Sequence, residues 1–158
     1  MSEPPIPALQ PGVNQPDAAP DVADLFRPRF DRRFIKAMGI RLERWLPGLC
    51  ELSLALGEQH LNNVGVVHGG VLVSLIDTAC SLAATYAPSL EDRHGCVSIG
   101  LTSQFLASPK GRVLRAVGRR KGGGRKLCVC HAEIFDEDGT LVAYGDVTCK
   151  ILAPRAPT

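Results

Sequence analysis

The spacing of apolar residues changes partway along this chain, and the change separates a helical region from a sheet region. From Gly69 to about Tyr86 no proline interrupts a run of good helix formers. Val71, Leu72, Leu75, Ile76, Ala79, Leu82 and Ala83 cover more than half of a helical circumference, which predicts a core helix surrounded by protein. After the loop at 87–95 the period becomes two. CVSIGLTSQFLA, RVLRAVGRR, KLCVCHAEIFD and TLVAYGDVTCKIL read as four strands joined by SPKG, by KGGGR and by the turn DEDG. Connections this short predict antiparallel neighbours and therefore a meander. Upstream, GIRLERWLPGLCELSLALG (39–57) reads as one or two strands broken at Pro47-Gly48, and EQHLNN as a loop. RFDRRFIKAMG (29–39) reads as a short helix with Phe30, Phe34 and Ile35 near one face and Gly39 as its stop. The predicted class is α+β, a curled antiparallel β-sheet around one long central α-helix.

Residues 1–28 hold seven of the twelve prolines and little periodicity, so they read as a flexible leader. One domain is expected over 29–152, with a tail at 153–158. A net charge of +2 and a pI near 8.3 describe a balanced surface that calls for neither nucleic acid nor an anionic membrane. With no long apolar run and no export signal, the chain is expected to be cytoplasmic. Its six cysteines are then expected to be reduced core residues.

Candidate chemistry begins with Asp77, a carboxylate inside the apolar helix. No cation lies within four residues of it on either side. Burying it alone would cost several kcal/mol, so it must be paired, protonated or turned toward a cleft. The bland reading bonds it to Ser74, Thr78 or Ser81. At the start of the helix, His68-Gly69-Gly70 puts two glycines where backbone N–H groups lack helical partners, a corner suited to a developing oxyanion. Relief of crowding at a tight junction is the bland alternative. Gly69 and Asp77 are eight residues apart, about 12 Å along a helix, too far to act on one carbonyl. If both act on one carbonyl, a second copy of the chain must supply the aspartate, making a two-fold homodimer.

Other motifs carry less. His68 opening a helix reads more readily as a cap than as a metal ligand or acid. CVCH (128–131) does not make a zinc site, because in a strand Cys128 and Cys130 share a face with Ala132 and Ile134 while His131 points away. GRRKGGGRKL (118–127) lacks the phosphate-loop pattern and reads as a glycine-rich hairpin. Its cations, including Arg119, Arg120, Arg125 and Lys126, are candidates for holding phosphates, against the alternative of a solvated tip.

The run NNVGVVHGGVLVSLIDTA (62–79) resembles the signature of PaaI-like, hotdog-fold acyl-CoA thioesterases. VSIGLTSQFLASP and DEDGTLVAYGDVT extend the resemblance, which covers roughly residues 34–152. It implies the hotdog fold, a dimer or dimer of dimers, and hydrolysis of an acyl-CoA thioester without a cofactor. By position, Asp77 would be general base or nucleophile, Gly69 N–H beside His68 would polarise the carbonyl, Asn62 would orient the carbonyl or water, and Ser98 would place the water. In such an arrangement Asn62 and Gly69 face Asp77 and Ser98 of the neighbouring subunit. The alternatives are a hotdog hydratase or dehydratase, which would need a histidine on the central helix, and a non-catalytic acyl-CoA binding module.

Overall fold

The computed structural model describes residues 19–30 and 33–153. In chain order it contains α1 (Ala23–Phe30), α2 (Arg33–Met38), β1 (Ile40–Leu46), β2 (Leu49–Ala55), a 3-10 turn (Glu58–His60), α3 (Gly69–Ala84), β3 (Cys96–Phe105), β4 (Val113–Gly123), β5 (Leu127–Phe135) and β6 (Leu141–Ile151). Gly48, at φ +70°, turns β1 back into β2 at the expected break. All strand pairs are antiparallel in one sheet, in the order β1-β2-β4-β5-β6-β3.

That order corrects the meander. β3 pairs with β6 at the sheet's far edge, not with β4, although only residues 106–112 separate β3 from β4. Three strand spacings amount to about 14 Å, and seven extended residues reach about 23 Å, so a short connection can cross the sheet's end. The short link was read as joining neighbouring strands, whereas it crosses the end of the sheet from β3 to β4.

The sheet curls around α3, which packs on β2, β4, β5 and β6. Leu75, Ile76, Ala79 and Cys80 are fully enclosed. Two glycines let the helix come this close. A Cβ on Gly118 of β4 would lie 2.4 Å from the Ala79 carbonyl oxygen, and one on Gly145 of β6 would lie 3.1 Å from Ile76 Cγ2. The expectation of a helix enclosed on every side holds for most of α3 only. Val73, Ser74, Asp77, Thr78 and Ser81 form a partly open stripe within the single chain.

The leader boundary also moves. Residues 1–18 of the expected leader, and 154–158 of the expected tail, lie outside the described residues. Residues 19–28, however, pack on the domain: Val22, Ala23 and Phe26 are buried. Asp21 Oδ1 accepts from the Ala23 and Trp45 amides at 3.0 and 2.9 Å. The Phe26 ring meets Trp45 edge-on at 4.7 Å, and Trp45 Nε1 donates to Leu82 O at 2.7 Å, tying α1 and β1 to the last turn of α3. The expected helix at 29–39 is reduced to α2, which buries none of its residues and leaves Phe34 exposed, because α1 and Trp45 already cover that end of the core. Gly39, at φ +71°, does stop it. Among the described residues no helix is long and apolar enough to cross a membrane.

Gly118→Ala is expected to lower stability by about 2–3 kcal/mol, since the new methyl must push α3 off β4. Urea denaturation measures it, and an unchanged midpoint would contradict the close packing.

Candidate active site

The entry to α3 is built by two histidines. His60 is buried, its Nδ1 accepts the Gly57 N–H at 2.9 Å and its Nε2 lies 2.9 Å from Met38 O. Its carbonyl accepts the His68 N–H at 2.8 Å, which fixes where the helix begins. The sequence reading left His60 in a plain loop; a histidine among charged and polar neighbours carries no sign of burial. His68 is the helix N-cap, and its Nδ1 accepts the Gly70 N–H at 2.8 Å, as the capping reading expected. The two glycines therefore differ. Gly70 N–H is already taken by His68, whose Nδ1 would also stand 2.9 Å from a Cβ on Gly70, so Gly70 offers no donor, whereas among the described residues no acceptor meets the Gly69 N–H.

Asp77 sits eight residues further along the same unbroken helix, on its partly open stripe. Two of the hydroxyls considered for it are engaged elsewhere: Ser74 donates to Gly70 O and Thr78 to Ser74 O, each at 2.7 Å. Its partner is Ser98 of β3, whose hydroxyl donates to Asp77 Oδ1 in a short hydrogen bond. Asp77 and Ser98 thus come together in one chain, while Gly69 stands about 12 Å along the axis at 1.5 Å per residue.

Asn62 begins the loop that leads to His68. Its Oδ1 accepts the Val64 and Val66 amides at 3.0 and 3.2 Å, and its backbone N–H bonds Val66 O at 2.8 Å. The oxygen shapes the loop; the amide nitrogen is the group left to offer a donor. Phe105, at the end of β3, was not singled out as a site residue, yet a Cβ on Gly69 would stand 3.4 Å from its Cε2 and Cζ atoms.

These placements accompany a match to known proteins. A family model described as thioesterase superfamily matches residues 64–143, 80 of the 158 residues. The chain belongs to the thioesterase superfamily. ComA2 of Bacillus subtilis (strain 168), provisionally named an esterase, is 26% identical over 120 residues, covering 75% of this chain and 93% of that protein. The crystal structure of the thioesterase HI1161 from Haemophilus influenzae superposes with a TM-score of 0.75 at 19% identity, over 85% of this chain and 92% of the other. The PaaI protein of the Escherichia coli phenylacetic acid degradation operon gives a TM-score of 0.67 at 24% identity, over 76% and 84%. The curled six-stranded sheet around α3 is the hotdog fold that the sequence resemblance implied.

In this thioesterase-superfamily chain the hairpin cations divide. Arg119 is paired on the sheet, its guanidinium 3.3 Å from Glu133 Oε2. Arg120, Arg125 and Lys126 line a groove of about 890 Å³ with Tyr86, His94 and Lys150, beside the last turn of α3. Arg120 Nη2 also donates to Gly124 O at 2.9 Å, which braces the hairpin tip. His94 and Lys150 escaped the sequence reading because they lie far from the hairpin along the chain and meet it only through strand pairing, Lys150 by β5–β6 and His94 by β3–β6. Cys128 and Cys130 are in the core, while His131 Nδ1 faces Asp146 Oδ1 at 2.9 Å on the other side of β5. The Cys149 thiol is pushed up to about 12, first by its hydrogen bond with Cys130 and further by burial, so at neutral pH it packs as a neutral group.

Asn62→Ala is expected to cost about 1 kcal/mol, because two loop amides lose their acceptor, whereas Asn62→Asp keeps the oxygen and the stability. Chemical denaturation of both variants tests this; an alanine variant as stable as the parent would remove Asn62 from the loop's support.

Proposed function

We propose that this protein hydrolyses an acyl-CoA thioester to the free acid and CoA in a site shared by two subunits of a homodimer. The observation that carries the reading is the division along α3: an unpaired Gly69 N–H at its start and, about 12 Å on, Asp77 held by Ser98. Neither half suffices alone. A second α3 running antiparallel would bring the partner's aspartate to this Gly69 and repeat the site across the two-fold axis. The surface for such a partner is the open stripe of α3 together with the edge strand β3, where Val97 and Ile99 are 46% and 56% exposed. An apolar edge with free backbone groups favours pairing with another strand.

Asp77 Oδ1 is engaged by Ser98, which leaves Oδ2 to take a proton from water. The water oxygen attacks the thioester carbon as that proton leaves, and the carbonyl oxygen gathers charge on the Gly69 N–H, with the Asn62 amide as a further donor. Collapse breaks the carbon–sulfur bond, and the proton held by Asp77 returns to the CoA sulfur. The chemistry uses no cofactor, since the carbonyl is already electrophilic. Arg120, Arg125 and Lys126, with Lys150 in the same groove, supply positive charge for the CoA phosphates, and the His94 ring lies beside them.

Asp77→Asn is expected to lower kcat by about 100-fold or more, read as free-thiol release from a panel of acyl-CoAs. Binding of CoA without turnover by the unaltered protein would favour the non-catalytic binding module. Mixing subunits tests the shared site directly. Asp77→Ala and Gly69→Leu subunits, each inactive alone, should recover roughly a quarter of the parent activity when refolded together, because half the dimers are mixed and each has one complete site. No recovery would place the chemistry within one chain.

A further inference from the structure

We infer that Tyr86 is the platform on which the adenine of CoA lies, and that the arm of residues 19–30 positions its ring; this rests on the assignment of the CoA phosphates to the hairpin cations given above. Tyr86 follows directly on the last turn of α3 and lines the same groove as Arg125, Lys126 and Lys150. At about 890 Å³ the groove has room for a whole small ligand, well beyond what a phosphate needs.

The walls of the groove differ in charge. The β4–β5 hairpin and the end of β6 supply the cations, and no Asp or Glu lines the groove, so these walls suit phosphate. Ala84 and Thr85 form the other wall, which is the C-terminal end of α3. Backbone carbonyls there lack helical partners and carry the negative end of the helix dipole. That end repels phosphate. It favours a neutral group with N–H donors, and the amino group of adenine is one. The phosphates therefore go to the hairpin and the base to the wall that holds Tyr86, where its face can stack on the ring.

The ring is held from behind. The Tyr86 hydroxyl donates to Pro20 O at 2.9 Å, and Trp45 meets the ring edge-on with centroids 6.2 Å apart. Trp45 is itself fixed by the same arm, since its amide donates to Asp21 Oδ1 at 2.9 Å and its carbonyl accepts the Val22 N–H at 3.1 Å. Anchored at its hydroxyl and against Trp45, Tyr86 stays partly exposed. A ring fixed before the ligand arrives loses little freedom on stacking. The arm thus acts on the ligand through Tyr86.

The test titrates the full chain with adenosine 3′,5′-bisphosphate, which carries base and phosphates, and with inorganic pyrophosphate, which carries phosphates only. Trp45 is the one tryptophan of the chain, so its emission reports on Tyr86 in the parent protein. The bisphosphate is expected to change that emission and pyrophosphate to leave it unaltered. By calorimetry, Tyr86→Leu should weaken the bisphosphate about tenfold, and Tyr86→Phe, which keeps the ring but loses the bond to Pro20 O, about threefold. Pyrophosphate should bind both variants as it binds the parent, and in turnover the loss should appear in KM for butanoyl-CoA rather than in kcat. Equal weakening of the two ligands, equal Trp45 signals from them, or a parent that binds neither while releasing thiol from acyl-CoA would overturn the inference. Binding of the bisphosphate with this Tyr86 dependence, by a protein that hydrolyses no acyl-CoA, would uphold it and overturn the proposed hydrolysis.

Discussion

The approach of α3 to the sheet at Gly118 is the constraint on which the other features depend. With no side chain beneath the Ala79 carbonyl, the helix backbone lies directly on β4. That contact sets the rotation of the helix about its axis. Leu75, Ile76, Ala79 and Cys80 then point into the curl, and Ser74, Asp77, Thr78 and Ser81 fall on the partly open side, which the sheet reaches through its edge strand β3. Asp77 escapes the core because of where its neighbours are driven.

The same rotation joins the candidate site to the surface proposed for assembly. The open stripe of α3 lies beside β3, the strand at the sheet's edge, and Ser98 bridges the two through its bond to Asp77. Apolar residues on such an edge strand are a hazard unless something covers them. In the proposed dimer a second copy does so, and shielding of Val97 and Ile99 coincides with completion of the site.

Several features could be read directly from the residues. The helix spans nearly the predicted range because the 3.6-residue pattern around Asp77 is strong and uninterrupted, and the break at Pro47-Gly48 became a turn at the expected place. The His68 cap was likewise visible, since an N-terminal side chain acts within two residues of itself. Long-range choices were not visible. The burial of Phe26 depends on Trp45, and the crossover from β3 to β4 depends on a curvature that no local spacing records. The bulge at Ile99, where the pairing of β3 with β6 slips between Ser98 and Gly100, is equally silent, because inserting one residue leaves the apolar composition of the strand unaltered while reversing its faces.

Local sequence therefore determined the elements, the carboxylate within the helix and the pair of glycines at its start, since each rests on periodicity or backbone freedom within a few residues. Only tertiary structure decided that Ser98 meets Asp77 and that His94 and Lys150 join the hairpin cations. Those outcomes follow from which strands pair and where the sheet bends, contacts between residues far apart in the chain that its order alone does not encode.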